Sequence, residues 1–341
     1  MLDGDNDDGD IFVYTGEEGQ RIPKDVTHVR VPNGVTTIRA RAFYGRSDLI
    51  SVCLSASVQR IEFAAFCHCT SLAWIIFPKD DEGSLEEIGG HAFYCCESLT
   101  ALKLPTTVRG IGPRAFYGCR SLVSMDLREG IRQIAQQAFL DCASLKHIKI
   151  PSTTKKIGNE TFYRCHSLES VELSEGIEEI GHAAFGMCKS LRNLRLPSTV
   201  ERIGRRAFCA CKNLQAIELP VGLKEVGRRG FHRCNAIKSV RFYVRGNRYF
   251  ELTCHGNTLE HDDNRELVLK GARSQEKLGV FQAAHTLVCE ALLPKYFAMF
   301  LERCASEPDA IFYFLSRKNA ELLYEAATFV PKQNKRKLEQ I

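Results

Sequence analysis

At 341 residues the chain exceeds the usual size of a single globular domain, unless internal repeats let it grow along one axis. A hydrophobic share of 44% and a charged share of 26% are those of an ordinary soluble protein. The net charge of +5 is too mild to argue for nucleic acid by itself, and no run of about 18 apolar residues marks a membrane span.

The first ten residues, MLDGDNDDGD, are acidic and lack the apolar stretch of a secretory signal, which leads to the expectation of an intracellular, cytoplasmic protein. Ile11 to Tyr14 reads as a short strand, and the polar GEEGQ after it turns the chain. Residues 1–25 are therefore an acidic lead plus an N-terminal cap strand.

From Val26 the chain becomes repetitive. A phenylalanine recurs at Phe43, Phe66, Phe93, Phe116, Phe139, Phe162, Phe185, Phe208 and Phe231, each step being 23 residues except the 27 between Phe66 and Phe93. A fixed period in this range marks a solenoid, whose repeats bury their apolar faces only against their neighbours. Within one repeat, Leu168-Glu-Ser-Val171-Glu-Leu173 alternates inward Val171 and Leu173 with outward Glu172, the pattern of a strand with one buried face. A turn follows, with a proline that cannot continue the ladder at Pro105, Pro151, Pro197 and Pro220. Ile177 and Ile180 face inward on the return side. Gly181 comes next, and glycine holds this place in six of nine units, where a positive φ or a close backbone approach is expected. Ala184-Phe185 then supplies one large ring per coil, and Cys188 closes the unit. Ten strands result, starting near residues 26, 49, 72, 99, 122, 145, 168, 191, 214 and 237, with short helical turns expected on the other side of each coil. The four-residue excess after Phe77, Lys79 to Gly83, should bulge from the turn leaving the third strand.

Most of the fifteen cysteines are explained by the same period. Cys69, Cys96, Cys119, Cys142, Cys165, Cys188, Cys211 and Cys234 share one repeat position. Stacked coils would set neighbours about 5 Å apart, so a disulfide is geometrically open. The favoured reading is free thiol acting as a small buried hydrophobe in a reducing compartment.

After Val244 the period stops. Residues 245–264 read as an irregular closing segment. Leu278, Phe281, Ala284, Leu287, Val288 and Ala291 then recur at helical steps, and Pro294 and Pro308 suit the first turns of two further helices. Residues 245–330 are thus assigned to a closing segment and a small all-α cap, with a partner-binding helical module as the other reading. Residues 331–341 form a basic tail in which Lys335-Arg336-Lys337 is at most a weak nuclear-import signal.

The recurring I-G-x-x-A-F-x-x-C-x-S-L-x-x-V-x-L-P resembles the BspA-type leucine-rich repeat, over roughly residues 26–244 and nine consecutive units. The resemblance implies an α/β solenoid with a concave parallel sheet. It implies binding and surface recognition as the general role and carries no catalytic residues.

Outward side chains of the strands should line the concave face. Their fifth place runs Arg30, Cys53, Ile76, Lys103, Asp126, Lys149, Glu172, Arg195, Glu218, Arg241, alternating in sign from Lys103 onward. Equivalent places on neighbouring strands lie about 4.8 Å apart, so the alternation reads first as lateral self-neutralisation. The N-terminal part is apolar instead. Trp74, the only tryptophan, stands among Ile50, Cys53, Ala73 and Ile76, and exposed apolar patches with a tryptophan mark interaction sites. Ile50, Ala73, Trp74, Ile76 and Lys103 are the candidate partner-binding residues, the alternative being that the N-terminal cap folds over Trp74. A metal site at Cys67, His68 and Cys95 departs from the usual zinc spacing, so no metal or cofactor is assigned. No nucleophile elbow, Walker loop or dinucleotide turn is present, so no enzyme activity is assigned. The reading is a non-enzymatic, monomeric protein-interaction scaffold with an unknown protein partner. The alternative is a nucleic-acid or acidic-surface binder using Arg109, Arg114, Arg132, Lys155, Lys156, Arg202, Arg205, Arg206, Arg228 and Arg229 of the return side; Glu178 and Glu179 interrupt that basic tendency, and nucleic acid is the less favoured partner.

Overall fold

The computed structural model describes residues 11–78, 82–220 and 222–237, together with the backbone of strands Ser239–Val244, Arg248–His255 and Thr258–His261. Each coil consists of a concave strand, a two-residue return strand and a turn that carries the repeat phenylalanine. Val29 and Val31, Val52 and Leu54, Leu102 and Leu104, and Ile148 and Ile150 point inward and are buried. The residues between them, Arg30, Cys53, Lys103 and Lys149, are exposed. Strands pair in parallel with like against like, Val29 with Val52 and Val52 with Ile75. The period of the sequence thus becomes the lateral register of the sheet.

Nine return strands, from Thr37–Ile38 to Glu225–Val226, form one unbroken parallel sheet among the described residues. The concave side is divided. Ile11–Val13, His28–Arg30, Ser51–Cys53 and Trp74–Ile76 make one sheet, and Ala101–Lys103 opens the next. This division falls where the four extra residues enter, and a second one, between Ser170–Leu173 and Asn193–Arg195, has no extra residues beside it. Arg60–Ile61 still pairs with Glu87–Ile88 across the first junction, so the return side stays continuous there.

The nine phenylalanines are fully buried and stacked, with ring centroids 5.0–5.3 Å apart and planes within 12° of parallel. Tyr14 closes the N-terminal end of the stack, 5.2 Å from Phe43 and tilted by 56°. The turn that holds each ring is not helical, contrary to expectation, and no helix occurs among the described residues. Two residues per coil, at minus two and plus two from the phenylalanine, have left-handed φ: Ala64 at 55° and His68 at 62° flank Phe66, for example. Such a residue breaks a helix after one turn and costs a non-glycine on the order of 1 kcal/mol. The return for it is lateral bonding. The N–H groups of Ala64, Phe66 and His68 donate to Gly90, Ala92 and Tyr94 of the next coil at 2.8–2.9 Å, and the pattern recurs along the stack.

The cysteine ladder belongs to the same turn. Each of the eight thiols donates to the carbonyl of the phenylalanine one coil back, Sγ···O being 3.0–3.3 Å, and all are free. Burial pushes the Cys69 thiol up to about 12 and holds Cys96, Cys142, Cys188 and Cys211 well above the ordinary range. The recurrent glycine is explained by close approach, not by positive φ. A Cβ on Gly181 would stand 2.7 Å from the carbonyl carbon of Gly158, and one on Gly204 would stand 2.6 Å from that of Gly181.

The segment after Val244 is not irregular throughout. Arg248–His255 and Thr258–His261 add to the last concave sheet as antiparallel strands, in a stretch rich in the tyrosine, phenylalanine, leucine and threonine that favour strands. The acidic lead, the tip of the insertion, the helical cap and the basic tail lie outside the described residues.

Candidate protein-binding face

The N-terminal concave sheet shows eight outward side chains in two rows. Strand register aligns Ile11, His28, Ser51 and Trp74 in one row, and Val13, Arg30, Cys53 and Ile76 in the other. Trp74 is 58% exposed and Ile76 54%, and Ile11 and Val13 are also exposed. Ile50 and Ala73, one place before their strands, are half-buried, and Ala73 N–H donates to the Ile50 carbonyl at 2.9 Å. Lys103 is exposed on the far side of the sheet division. The candidates Ile50, Ala73, Trp74 and Ile76 are therefore contiguous, with Lys103 at their border.

The N-terminal strand does not fold over Trp74. It adds edge-on and parallel to His28–Arg30, with Tyr14 N–H donating to the Arg30 carbonyl at 3.0 Å, three strands away from the tryptophan. Ile11 and Val13 thereby extend the apolar face, and the repeat pattern gave no reason to include them. Their alternation around Phe12 was the available signal.

Electrostatically this sheet differs from the rest of the concave face. Further along, lateral pairs satisfy the alternating charges: Lys149 Nζ stands 2.8 Å from Glu172 and Arg195 Nε 3.5 Å from Glu218. On the N-terminal sheet Arg30 is the one formal charge among the eight side chains, with Val13 and Cys53 as its lateral neighbours. His28 is engaged through Nδ1 with the Ser51 hydroxyl at 2.7 Å.

On the return side part of the basic tendency is answered by carboxylates. Lys155 meets Glu178 at 3.1 Å, Lys156 meets Glu179 at 2.7 Å, and Lys224 meets Glu201 at 2.8 Å. A hydrogen bond from Lys156 holds the Glu179 carboxyl below its ordinary value, and one from Lys224 does the same for Glu201. Cys67, His68 and Cys95 do not assemble as ligands: no group of three His, Cys, Asp or Glu suited to a metal occurs among the described residues. His68 instead packs edge-on between Tyr44 and Tyr94, at 5.9 and 5.4 Å. No helix among the described residues is long and apolar enough to cross a membrane.

A family model of the BspA type leucine rich repeat region matches residues 24–103, 86–198 and 178–256, in six copies. The chain belongs to the BspA-type leucine-rich repeat family. Among solved structures it is similar to a T. pallidum leucine-rich repeat protein, at 33% identity over 55% of this chain and 86% of that one, with a TM-score of 0.46. It is also similar to a leucine-rich repeat protein of Bacteroides ovatus, at 24% identity over 64% and 79% of the two chains with a TM-score of 0.36. For the pneumococcal vaccine antigen PcpA the values are 20%, 70%, 78% and 0.41. No curated protein sequence matches significantly. A shared repeat fold does not fix what is bound, so a binding role has to be argued from this chain's own surface.

Proposed function

We propose that this protein is a non-enzymatic protein-interaction scaffold and that its partner binds the N-terminal part of the concave face, with Trp74 and Ile76 as the central anchors. The single observation carrying this reading is the exposure of Trp74 and Ile76, side by side with Cys53 and Ile50, on a concave face whose later strands carry laterally paired charges. Leaving a tryptophan and an isoleucine in water is unfavourable in the free protein, at about 25 cal/mol per Å² of apolar surface. Tryptophans in such settings concentrate binding energy when a partner covers them. The eight thiols of the cysteine ladder are donors only when reduced, which supports a thiol-reducing compartment such as the cytoplasm as the place of action.

The test is Trp74→Ala. Binding to the partner should weaken by about 2 kcal/mol or more, with the unfolding midpoint unchanged because the ring lies outside the core. Glu172→Lys and Glu218→Lys should disturb lateral pairing by about 1 kcal/mol or less and leave binding nearly intact. A Trp74→Ala variant that retains full affinity removes this face from the interface.

A further inference from the structure

Arg30 carries the inference. Elsewhere in its column a cation faces a carboxylate on the adjoining strand, as Lys149 faces Glu172 and Arg195 faces Glu218. Arg30 stands between Val13 and Cys53, is exposed, and makes no ion pair among the described residues. The lateral pairing made by Lys149 and Arg195 is thus missing at Arg30, on the sheet where Ile11, Val13, Trp74 and Ile76 are exposed. A cation set in an apolar face selects a partner that brings both an apolar group and an anion.

We propose that this face binds an extended acidic segment of a partner protein, in which a carboxylate meets Arg30 and a large apolar side chain lies against Trp74 and Ile76. This deepens the protein-binding reading above and rests on it. The spacing follows from the sheet. Arg30 and Ile76 share a row two strands apart, about 10 Å, and Trp74 is displaced from that row by two residues, so it lies about 12 Å from Arg30. An extended peptide advances about 3.3 Å per residue, which places the acidic and apolar residues three or four positions apart.

The experiment selects from a random displayed library of peptides ~12 residues long against the full chain under reducing conditions, then measures the selected peptides in synthetic form. Two native reporters sit in the site. Trp74 is the only tryptophan, so intrinsic fluorescence reads its environment directly, and Cys53 is the exposed cysteine among those described, so its alkylation can be followed by peptide mass mapping. Selected peptides should carry Asp or Glu three or four positions from a large apolar residue, shift the Trp74 emission and protect Cys53. Arg30→Glu, which leaves the core untouched, should weaken them about 10-fold or more with an unchanged unfolding midpoint, and added salt should weaken them as well. Peptides that shift Trp74 and protect Cys53 yet contain no acidic residue, or ignore Arg30→Glu, overturn the acidic chemistry while the protein-binding face stands. Failure to select any peptide, peptides that leave both reporters unchanged, or a second copy of the chain found covering the face by sedimentation, overturns the proposal and the reading beneath it.

Discussion

Raising the pH from 8 to 10 should unfold this protein, and the cysteine ladder sets the size of the effect. Burial raises the thiols of Cys69, Cys96, Cys119, Cys142, Cys165, Cys188 and Cys211 above the ordinary value of 9.0, Cys69 to about 12. In the native state these seven stay protonated at pH 10, whereas in the unfolded chain they ionise from about pH 9. The unfolded state then binds fewer protons than the native state, so stability falls as pH rises, and it is fully present only below the unfolded value. One pH unit above that value the loss is about 1.4 kcal/mol per thiol, hence about 10 kcal/mol for the seven. That equals the whole stability of a typical domain. The assay is guanidinium unfolding followed by far-ultraviolet circular dichroism under a reductant, repeated at pH 8, 9 and 10. The double variant Cys142→Ala/Cys165→Ala isolates the ladder from exposed lysines and tyrosines. At pH 8 it should be less stable than the wild type, because the Phe116 and Phe139 carbonyls each lose a thiol donor, at 3.1 and 3.3 Å. That deficit should shrink by about 3 kcal/mol between pH 8 and pH 10, since two titrating thiols are gone. Parallel curves for the two proteins would refute the reasoning, because they would mean that the ladder thiols ionise as readily when folded as when unfolded.

Two further substitutions probe the scaffold by the same unfolding assay. Phe139→Ala should cost about 3–5 kcal/mol, since the ring is fully buried and stacked on Phe116 and Phe162 at 5.3 Å on both sides, and Phe43→Ala should cost less, because it has one parallel neighbour and a tilted Tyr14; equal costs at the two positions, or none, would refute the stacked core. Gly181→Ala should destabilise by about 1–3 kcal/mol through the clash with Gly158, whereas Gly110→Ala, with open space around the added methyl, should be close to neutral, and the reverse order would exclude close packing of coils as the reason for the glycine.

The repeat made the inward half of this fold legible. Phe43 to Phe231, the Val-x-Leu alternation of the strands and the Ile column of the return side all follow from periodicity and burial, because each is decided by what a side chain must avoid. The turn around the phenylalanine was not legible for the opposite reason. Its left-handed places hold Arg41, Ala64, His91, Gln137, Glu160 and Met187, residues with no shared preference for positive φ. The conformation there is imposed by N–H groups bonding the next coil, and those bonds involve atoms every residue possesses. The cysteine ladder lies between the two cases. Its burial could be expected from position, but its partner, the phenylalanine carbonyl one coil back, required coordinates.

The same distinction explains the site. The exposure of Trp74 and Ile76 was legible because a lone tryptophan at an outward place contradicts the pattern around it. The other border of the face was not, since Ile11 pairs with His28, an offset of 17 where the repeat offers 23, and no period could announce that register. Once that strand is in place, Arg30 acquires Val13 on one side and Cys53 on the other, and its meaning changes. Read down its column it is the first of a series of charges. Across the assembled sheet it is a cation held among apolar side chains, where pairing within the scaffold has stopped, and that is the ground on which complementarity to an acidic partner is proposed.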